Sequence, residues 1–164
     1  METVACYTYE TPYGIISIKS DGSAVTSVKI VNEINPDAGN IADKLTDKTA
    51  KQLNEYFAGK RKQFDLPLKP HGTKFQLAVW KALSEIPYGE TRSYKDIAVA
   101  INNPKACRAV GLANNKNPVW IVIPCHRVIG SNGTLTGYGG GLKMKQRLLD
   151  LEKNRNRKES KKNK

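Results

Sequence analysis

The stretch that decides the fold of this 164-residue chain is SYKDIAVAINNPKACRAVGLAN, residues 93–114. It predicts a first helix capped by Ser93, with Asp96 three residues later completing a capping box. A tight turn at 102–104 and a second helix over 105–114 follow. Helix, short turn and helix is the helix-turn-helix arrangement. The pattern alone has low specificity, because many paired helices share it.

The second helix carries little side-chain bulk around a single arginine. Such a helix can approach another surface closely, and that surface is either the protein interior or a nucleic acid. Arg108, in a basic part of the chain, favours the nucleic acid, and a slender helix suits the narrow minor groove. The small residues are Ala106, Cys107, Ala109, Gly111 and Ala113.

Positive charge is concentrated towards the end of the chain. The net charge is +12, of which residues 1–69 contribute nothing and residues 70–152 and 153–164 contribute +6 each. A basic segment favours a polyanionic partner, and nucleic acid comes first. The segment 153–164 is too polar to bury, so we expect a disordered tail that either binds the polyanion or only aids solubility.

The hydrophobic pattern predicts an α+β fold in two parts. Residues 1–69 are typical of a small N-terminal strand-rich α/β module, and 70–152 of a mainly helical, winged-helix-like helix-turn-helix domain. The first part is expected to contain strands over 4–9, 15–20 and 25–31, a helix over 41–57, a short strand over 64–66 and a linker over 67–72.

Composition excludes several functional classes. No stretch approaches the roughly 18 apolar residues of a membrane span, and METVACYTYE at 1–10 does not have the pattern of a secretory signal. Three cysteines argue against a disulfide framework and for a reducing compartment, the cytoplasm or, in a eukaryote, the nucleus. Two histidines and no Cys-x-x-Cys pair argue against a metal site.

A candidate nucleophile follows the apolar, strand-like run at 120–123. Cys125 and His126 are adjacent, and a thiol needs a base or nearby positive charge to become a thiolate at neutral pH. Arg127 could add positive potential or form a structural ion pair. The alternative for Cys125 is a buried, inert cysteine. A Cys-His hydrolase would also need an oxyanion hole, for which the sequence offers no evidence.

Further motifs surround this pair in a fixed order. They are IPYGET at 86–91, AxRAVG at 106–111, NPxxIxxPCHRVIG at 117–130 and GYGGGL at 137–142. Together they resemble the O6-alkylguanine-DNA alkyltransferases, which are suicidal DNA-repair proteins. The resemblance is close over about 73–152 and extends to the general layout over 1–69.

The resemblance implies a single-turnover methylated-DNA–protein-cysteine methyltransferase. In that family the cysteine matching Cys125 takes the alkyl group from guanine O6. The histidine matching His126 relays a proton through water to the glutamate matching Glu152. The asparagine matching Asn117 braces the active-site turn. The tyrosine matching Tyr94 contacts the flipped base.

The resemblance also implies how DNA is held. Arg108 matches the arginine that fills the gap left by the extruded nucleotide. The implied DNA-binding residues are Tyr94, Ala106, Arg108, Ala109, Gly111 and Arg127. The implied base pocket comprises Asn114, Val128, Tyr138, Gly139 and Gly140. The partner is alkylated double-stranded DNA, with no cofactor, no metal and no membrane, and the protein acts as a monomer.

Four positions depart from common family residues. Gly139 lacks the side-chain hydroxyl that many members offer to O6, and Asn114 replaces an apolar pocket wall. Trp120 either narrows the pocket mouth or only packs, and Cys107 replaces a common alanine. A non-catalytic sensor of alkylated DNA with the same fold is the rival hypothesis. The presence of Cys125 counts against it, because members that bind lesions without repair lack this cysteine.

Overall fold

The computed structural model describes residues 3–34 and 40–162, with side chains described up to residue 158. The chain divides into two compact units, one of residues 1–71 with 118–122 and one of 72–117 with 123–164. The division falls two residues beyond the expected boundary. The return of 118–122 to the first unit was not expected from the sequence.

The first unit is built on a three-stranded antiparallel sheet in the order β1-β2-β3. The strands are β1 (Ala5–Thr11), β2 (Gly14–Ser20) and β3 (Val25–Val31), each within two residues of the predicted span. Alternating residues of β2 and β3, among them Ile16, Ile18 and Val28, are fully buried. This alternation buries one face of the sheet and leaves the other more open to water.

Helix α1 (Lys44–Phe57) buries Leu53 and Phe57, as its periodicity predicted. It begins three residues later than expected, because Asp43 caps it in a reciprocal capping box with Thr46. Ile41 lies outside the helix, where its carbonyl accepts from Cys6 N at 2.8 Å. The predicted start at 41 was therefore wrong.

Three predicted segments are also different in the structure. Residues 64–66 form no strand, and the expected linker is instead bound to β3, with Val25 N donating to Pro67 O at 2.8 Å. The apolar run near 120 forms isolated bridges, one of them between Val28 and Val119, instead of a longer strand. It then turns at Ile121, whose φ of 74° is rare for a β-branched residue.

The second unit holds the predicted helix-turn-helix. Its helices are α2 (Lys74–Ser84), α3 (Tyr94–Ala100) and α4 (Cys107–Asn115), with β4 (Arg92–Ser93) paired in parallel to β5 (Val128–Ile129). The predicted capping box of Ser93 and Asp96 is confirmed. Trp80 Nε1 donates to Ala113 O at 2.8 Å and joins α2 to α4. Helix α4 begins two residues later than predicted, so the turn is longer.

The last helix, α5 (Leu142–Lys162), corrects the expectation of a disordered tail from 153. Lysine, arginine and glutamate are good helix formers, and a helix that is already nucleated extends at little cost. Arg155 and Asn156 are half-buried, and Asn156 Nδ2 donates to Tyr88 O at 3.3 Å. The segment is polar but has inward-facing contacts of its own.

Candidate active site and nucleic-acid interface

Cys125 lies in a tight turn at the start of a short 3₁₀ helix (Cys125–Arg127) and is 3% exposed. Its backbone N donates to Ile123 O at 2.8 Å, and the same carbonyl accepts from Asn117 Nδ2 at 2.8 Å. The Asn117 side chain also hydrogen-bonds Cys125. The structure thus brings Asn117 to the turn that presents the cysteine.

His126 and Glu152 form a fully buried pair. His126 Nε2 lies 2.7 Å from Glu152 Oε2, and both residues are 0% exposed. Because an ionised carboxylate only accepts hydrogen bonds, Nε2 carries the hydrogen and Nδ1 carries the lone pair. Within the described part of the chain, Nδ1 has no hydrogen-bond partner. A basic nitrogen is therefore left available in the buried site.

Arg127 is the other partner of Glu152. Its Nε donates to Oε1 at 2.8 Å and its Nη2 to Oε2 at 3.0 Å, while Nη1 donates to Ile86 O at 2.7 Å. Its guanidinium lies 5.6 Å from the centre of the Tyr88 ring, and the residue is 6% exposed. The prediction that Arg127 lies on the DNA-binding surface was wrong, because the structure uses it in a buried ion pair.

The Glu152 carboxylate accepts a fourth hydrogen bond from the backbone, because Gly89 N donates to Glu152 Oε1 at 3.1 Å. Burial raises the pKa of the Glu152 carboxyl, but the hydrogen bonds and charges of His126 and Arg127 outweigh it and hold that pKa well below its usual range. Glu152 therefore stays ionised at neutral pH.

The reacting groups are neutral at rest. Burial raises the pKa of the Cys125 thiol to about 11, against the opposing effects of the Asn117 hydrogen bond and the Lys145 charge. Burial lowers the pKa of His126 below its usual value, although Glu152 partly restores it. A neutral thiol near a neutral imidazole requires proton transfer before sulfur becomes a strong nucleophile.

Lys145 is a site residue to which the sequence interpretation gave no role. It is 0% exposed, its Nζ donates to Thr136 O at 2.6 Å, and burial lowers its pKa to about 8. Its charge acts on Cys125. The available signal was its place on the buried face of α5, three residues before Leu148 and seven before Glu152.

Apart from Arg127, the predicted DNA-binding residues lie on or beside α3 and α4. Arg108 and Ala109 are exposed, while Ala106 and Gly111 are half-buried. A Cβ added at Gly111 would lie 3.8 Å from the Tyr94 ring, so this small residue allows α4 to pass close to α3. Some of the small residues thus serve internal packing, whereas others flank Arg108 on an exposed face, where contact with a nucleic acid stays a prediction.

The predicted pocket residues are brought together only in part. Tyr138 is 9% exposed, and burial, with a smaller effect of the Cys125 charge, raises the pKa of its hydroxyl well above the usual value. Val128 and Asn114 are buried, and the Asn114 amide has no hydrogen-bond partner among residues 3–34 and 40–162. Gly139 is exposed, and a Cβ added at Gly140 would lie 2.8 Å from the Tyr138 ring. No contact shows these five residues enclosing one cavity.

Three further observations limit the chemistry. All three cysteines are free. Across the described ranges, no cluster of three or more His, Cys, Asp or Glu side chains could hold a metal ion. Among the described helices, none combines the length and apolarity needed to cross a membrane.

A buried cysteine near a His–Glu pair, inside a helix-turn-helix domain, defines a nucleic-acid-binding protein with a cysteine nucleophile. Family comparison gives the particular group. Residues 74–154 match the DNA binding domain of 6-O-methylguanine DNA methyltransferase, and residues 4–70 match its ribonuclease-like domain. The chain belongs to the 6-O-methylguanine DNA methyltransferase family.

Individual relatives agree with this assignment. The methylated-DNA–protein-cysteine methyltransferase of Methanosarcina acetivorans is 50% identical over 149 residues, which cover 88% of this chain and 95% of the relative. The Mycobacterium tuberculosis protein of the same name is 47% identical over 156 residues, covering 90% and 92%.

Solved structures confirm the α+β fold with its helix-turn-helix domain. The crystal structure of Mycobacterium tuberculosis O6-methylguanine methyltransferase matches with a TM-score of 0.84 at 46% identity, covering 92% of this chain and 93% of that one. The structure of the Mycobacterium tuberculosis protein in complex with DNA matches with a TM-score of 0.86 at 47% identity, covering 93% and 94%.

Proposed function

We propose that this protein repairs O6-methylguanine in double-stranded DNA by moving the methyl group irreversibly to its own Cys125. The observation that carries the proposal is the buried Cys125 next to a His126 whose Nε2 is held by Glu152, in a chain of this family. O4-methylthymine is a second candidate lesion, because it too carries an O-alkyl group on a base.

DNA engagement is proposed to use the exposed face of α4. O6 of a stacked guanine is out of reach, so the base must leave the stack at a cost of a few kcal/mol. Arg108, exposed on α4 beside Ala109, would enter the gap and offset part of this cost. Tyr94, which faces Gly111 on α4, would contact the rotated nucleotide. The related Mycobacterium tuberculosis protein in complex with DNA supports a DNA partner.

The chemistry is a direct displacement at the methyl carbon. His126 Nδ1 accepts the Cys125 proton, directly or through one water, and the thiolate attacks the methyl group. The sulfur–carbon bond forms as the bond between carbon and guanine O6 breaks. The departing guanine then takes up one proton, for which Tyr94 OH is a candidate donor, and the proton held by His126 returns to Tyr94 through solvent, so that both side chains end neutral. Overall, thiol and O6-methylguanine become thioether and guanine.

Two buried charges assist this step in different ways. Glu152 is fully hydrogen-bonded and ionised, so its role is to orient His126 and stabilise the imidazolium rather than to accept the proton. Lys145 provides a buried positive charge that acts on Cys125, where negative charge develops on sulfur. Neither role needs a cofactor.

The thioether is stable, so each molecule acts once. We propose a monomer that acts on alkylated duplex DNA in the cytoplasm, or in the nucleus if the source is a eukaryote. The base pocket is proposed to include Asn114, Val128, Tyr138, Gly139 and Gly140.

A stoichiometry measurement tests the proposal. Protein is mixed with an excess of duplex carrying one O6-methylguanine, and restored guanine is counted over time. The expected result is a single burst of one repaired base for each protein molecule, followed by no further reaction. Tight lesion binding without any burst would instead support the rival, a non-catalytic damage sensor. Continued turnover would contradict both.

A further inference from the structure

One peptide group of the loop before β4 is held at both ends by side chains of α5. Gly89 N donates to Glu152 Oε1 at 3.1 Å, and Tyr88 O accepts from Asn156 Nδ2 at 3.3 Å. Glu152 and Asn156 are four residues apart, so they share a face of α5 and are separated by about 6 Å along its axis. A single planar peptide unit therefore spans one turn of the helix that carries the glutamate.

The loop approaches the Asn156 side chain of α5 closely at position 89, and its backbone conformation there favours glycine. Gly89 has a φ of +81°, and a Cβ added there would lie 1.9 Å from Asn156 Nδ2. The positive φ therefore disfavours any side chain at this position, and an added Cβ would also displace the Asn156 amide. This close approach is what brings the Gly89 N–H to the carboxylate.

The contact matters because the two oxygens of Glu152 have separate partners. Oε1 accepts from Arg127 Nε and Gly89 N, while Oε2 accepts from His126 Nε2 and Arg127 Nη2. An ionised carboxylate has about four acceptor sites, and all are used. If Gly89 N moved away, Oε1 would lose one of these two hydrogen bonds, and rotation of the carboxylate would weaken the contact with His126.

We propose that Asn156 is a positioning residue for methyl transfer, which holds the Tyr88–Gly89 peptide against Glu152 and so keeps Oε2 aligned with His126. The inference rests on the proposed function and extends it to the part of α5 beyond Glu152. Asn156 does not touch the reacting atoms and acts only through this peptide group.

The expected signature is a change in the pH dependence of transfer. The charged groups that act on His126 are Glu152 and Lys145 from α5 and Arg127 from the 3₁₀ helix. If the Glu152 carboxylate rotates away from His126, it offsets the positive charges of Arg127 and Lys145 less. The pKa of His126 then falls, and His126 becomes a weaker base. Because transfer needs neutral His126, the acid limb of the rate profile should move to lower pH and its plateau should fall.

The experiment compares Asn156→Asp and Asn156→Ala with Asn154→Asp. Both Asn156 variants remove the amide donor, and the Asn154→Asp control introduces the same charge at an exposed position on the same helix. Single-turnover methyl transfer is measured at saturating protein from pH 5 to 9, together with lesion-DNA affinity and thermal unfolding. NMR titration of the His126 ring nitrogens is a readout independent of activity.

Both Asn156 variants should transfer about 3- to 30-fold more slowly at pH 7. In Asn156→Ala the acid limb and the His126 titration should shift to lower pH, whereas the new carboxylate of Asn156→Asp opposes that shift, so its titration should move less. DNA affinity should stay within about twofold, and Asn154→Asp should resemble the parent protein. Unchanged rates and titration would overturn the proposal, as would an equal loss in Asn154→Asp.

Two other results, loss of cooperative unfolding in the variants and absence of methyl transfer in the parent protein, are interpreted as follows. Loss of cooperative unfolding in both Asn156 variants would overturn the proposal, because the contact would then hold the fold rather than Glu152. If the parent protein transfers no methyl group, the proposed function fails. The His126 titration still decides the positioning role in that case.

Discussion

His126 Nε2 lies 2.7 Å from Glu152 Oε2, with both residues excluded from water. The pair fixes which imidazole nitrogen is basic, because the hydrogen on Nε2 is committed to the carboxylate. The lone pair on Nδ1 is the consequence that matters for chemistry, since Cys125 begins as a neutral thiol. The site is therefore arranged for proton removal by His126, and Glu152 supplies orientation and charge.

Replacing Glu152 with glutamine should damage both stability and repair. The change leaves the buried Arg127 guanidinium without a counter-charge, which typically costs about 3–5 kcal/mol. Methyl transfer should fall by at least about tenfold, because the imidazolium loses its stabilising anion. Urea unfolding and single-turnover assays measure the two effects. The exposed Asp150→Asn is the matched control, and an equal loss there would refute the account.

As the pH falls, the free energy of unfolding of the parent protein should decrease more steeply than that of Glu152→Gln. The pKa of Glu152 is lowered in the folded state, so the unfolded chain takes up this proton first as the pH falls. The stabilisation is complete above the ordinary carboxyl pKa of about 4.3 and is lost progressively below it. Urea unfolding from pH 6 to 3 measures this slope, and identical slopes in the two proteins would contradict the prediction.

Lys145→Met should make Cys125 harder to ionise. Without the buried ammonium, the pKa of the thiol should rise further above about 11, and each unit lowers the thiolate population tenfold at neutral pH. Methyl transfer should slow by about tenfold or more. Iodoacetamide alkylation against pH reports the thiol directly, and the exposed Lys143→Met is the control. Alkylation of both variants at the parent rate would remove Lys145 from the mechanism.

Arg108→Ala should slow repair more than it weakens DNA binding. The side chain is proposed to act on the extruded state, so its loss affects the flipped complex more than the first encounter. Single-turnover rates at saturating protein and equilibrium affinity separate the two quantities. Lys116→Ala, exposed at the other end of α4, should change the rate little. An unchanged rate in Arg108→Ala would remove its role in filling the gap.

The basic end of α5 should contribute to salt-dependent DNA binding. Arg157 and Lys158 are exposed, and neutralising both to glutamine should flatten the slope of log affinity against log salt by up to about 1.8. This double variant is cleaner than deletion of 153–164, which would also remove Asn156. An unchanged slope would leave these charges a role in solubility only.

Local patterns predicted much of the fold, because they depend on neighbouring residues. The three strands and the capping box of α3 are of this kind, and the motif around Cys125 identified the family. Two pairings, of Ile41 with Cys6 and of Val119 with Val28, join backbone groups that are far apart in the sequence. No local pattern predicts them.

The same limit explains what was missed in the site. Arg127 and Lys145 carry charges, and composition alone favours the surface for both. Only the fold shows Arg127 on Glu152 and Lys145 buried beside Thr136. The sequence predicted a disordered tail at the end of α5 because the segment is polar. The contact of Asn156 with Tyr88, which the sequence does not show, was not taken into account.

Mass mapping of the protein after one encounter with damaged DNA tests the central claim most directly. The protein and a Cys125→Ser variant are incubated with duplex carrying O6-methylguanine, digested and examined peptide by peptide. The account predicts one added methyl group on the Cys125 peptide of the parent protein, with guanine restored in the DNA and no adduct in the variant. A parent protein that binds the lesion yet stays unmodified at Cys125, or a variant that still repairs it, would contradict the account.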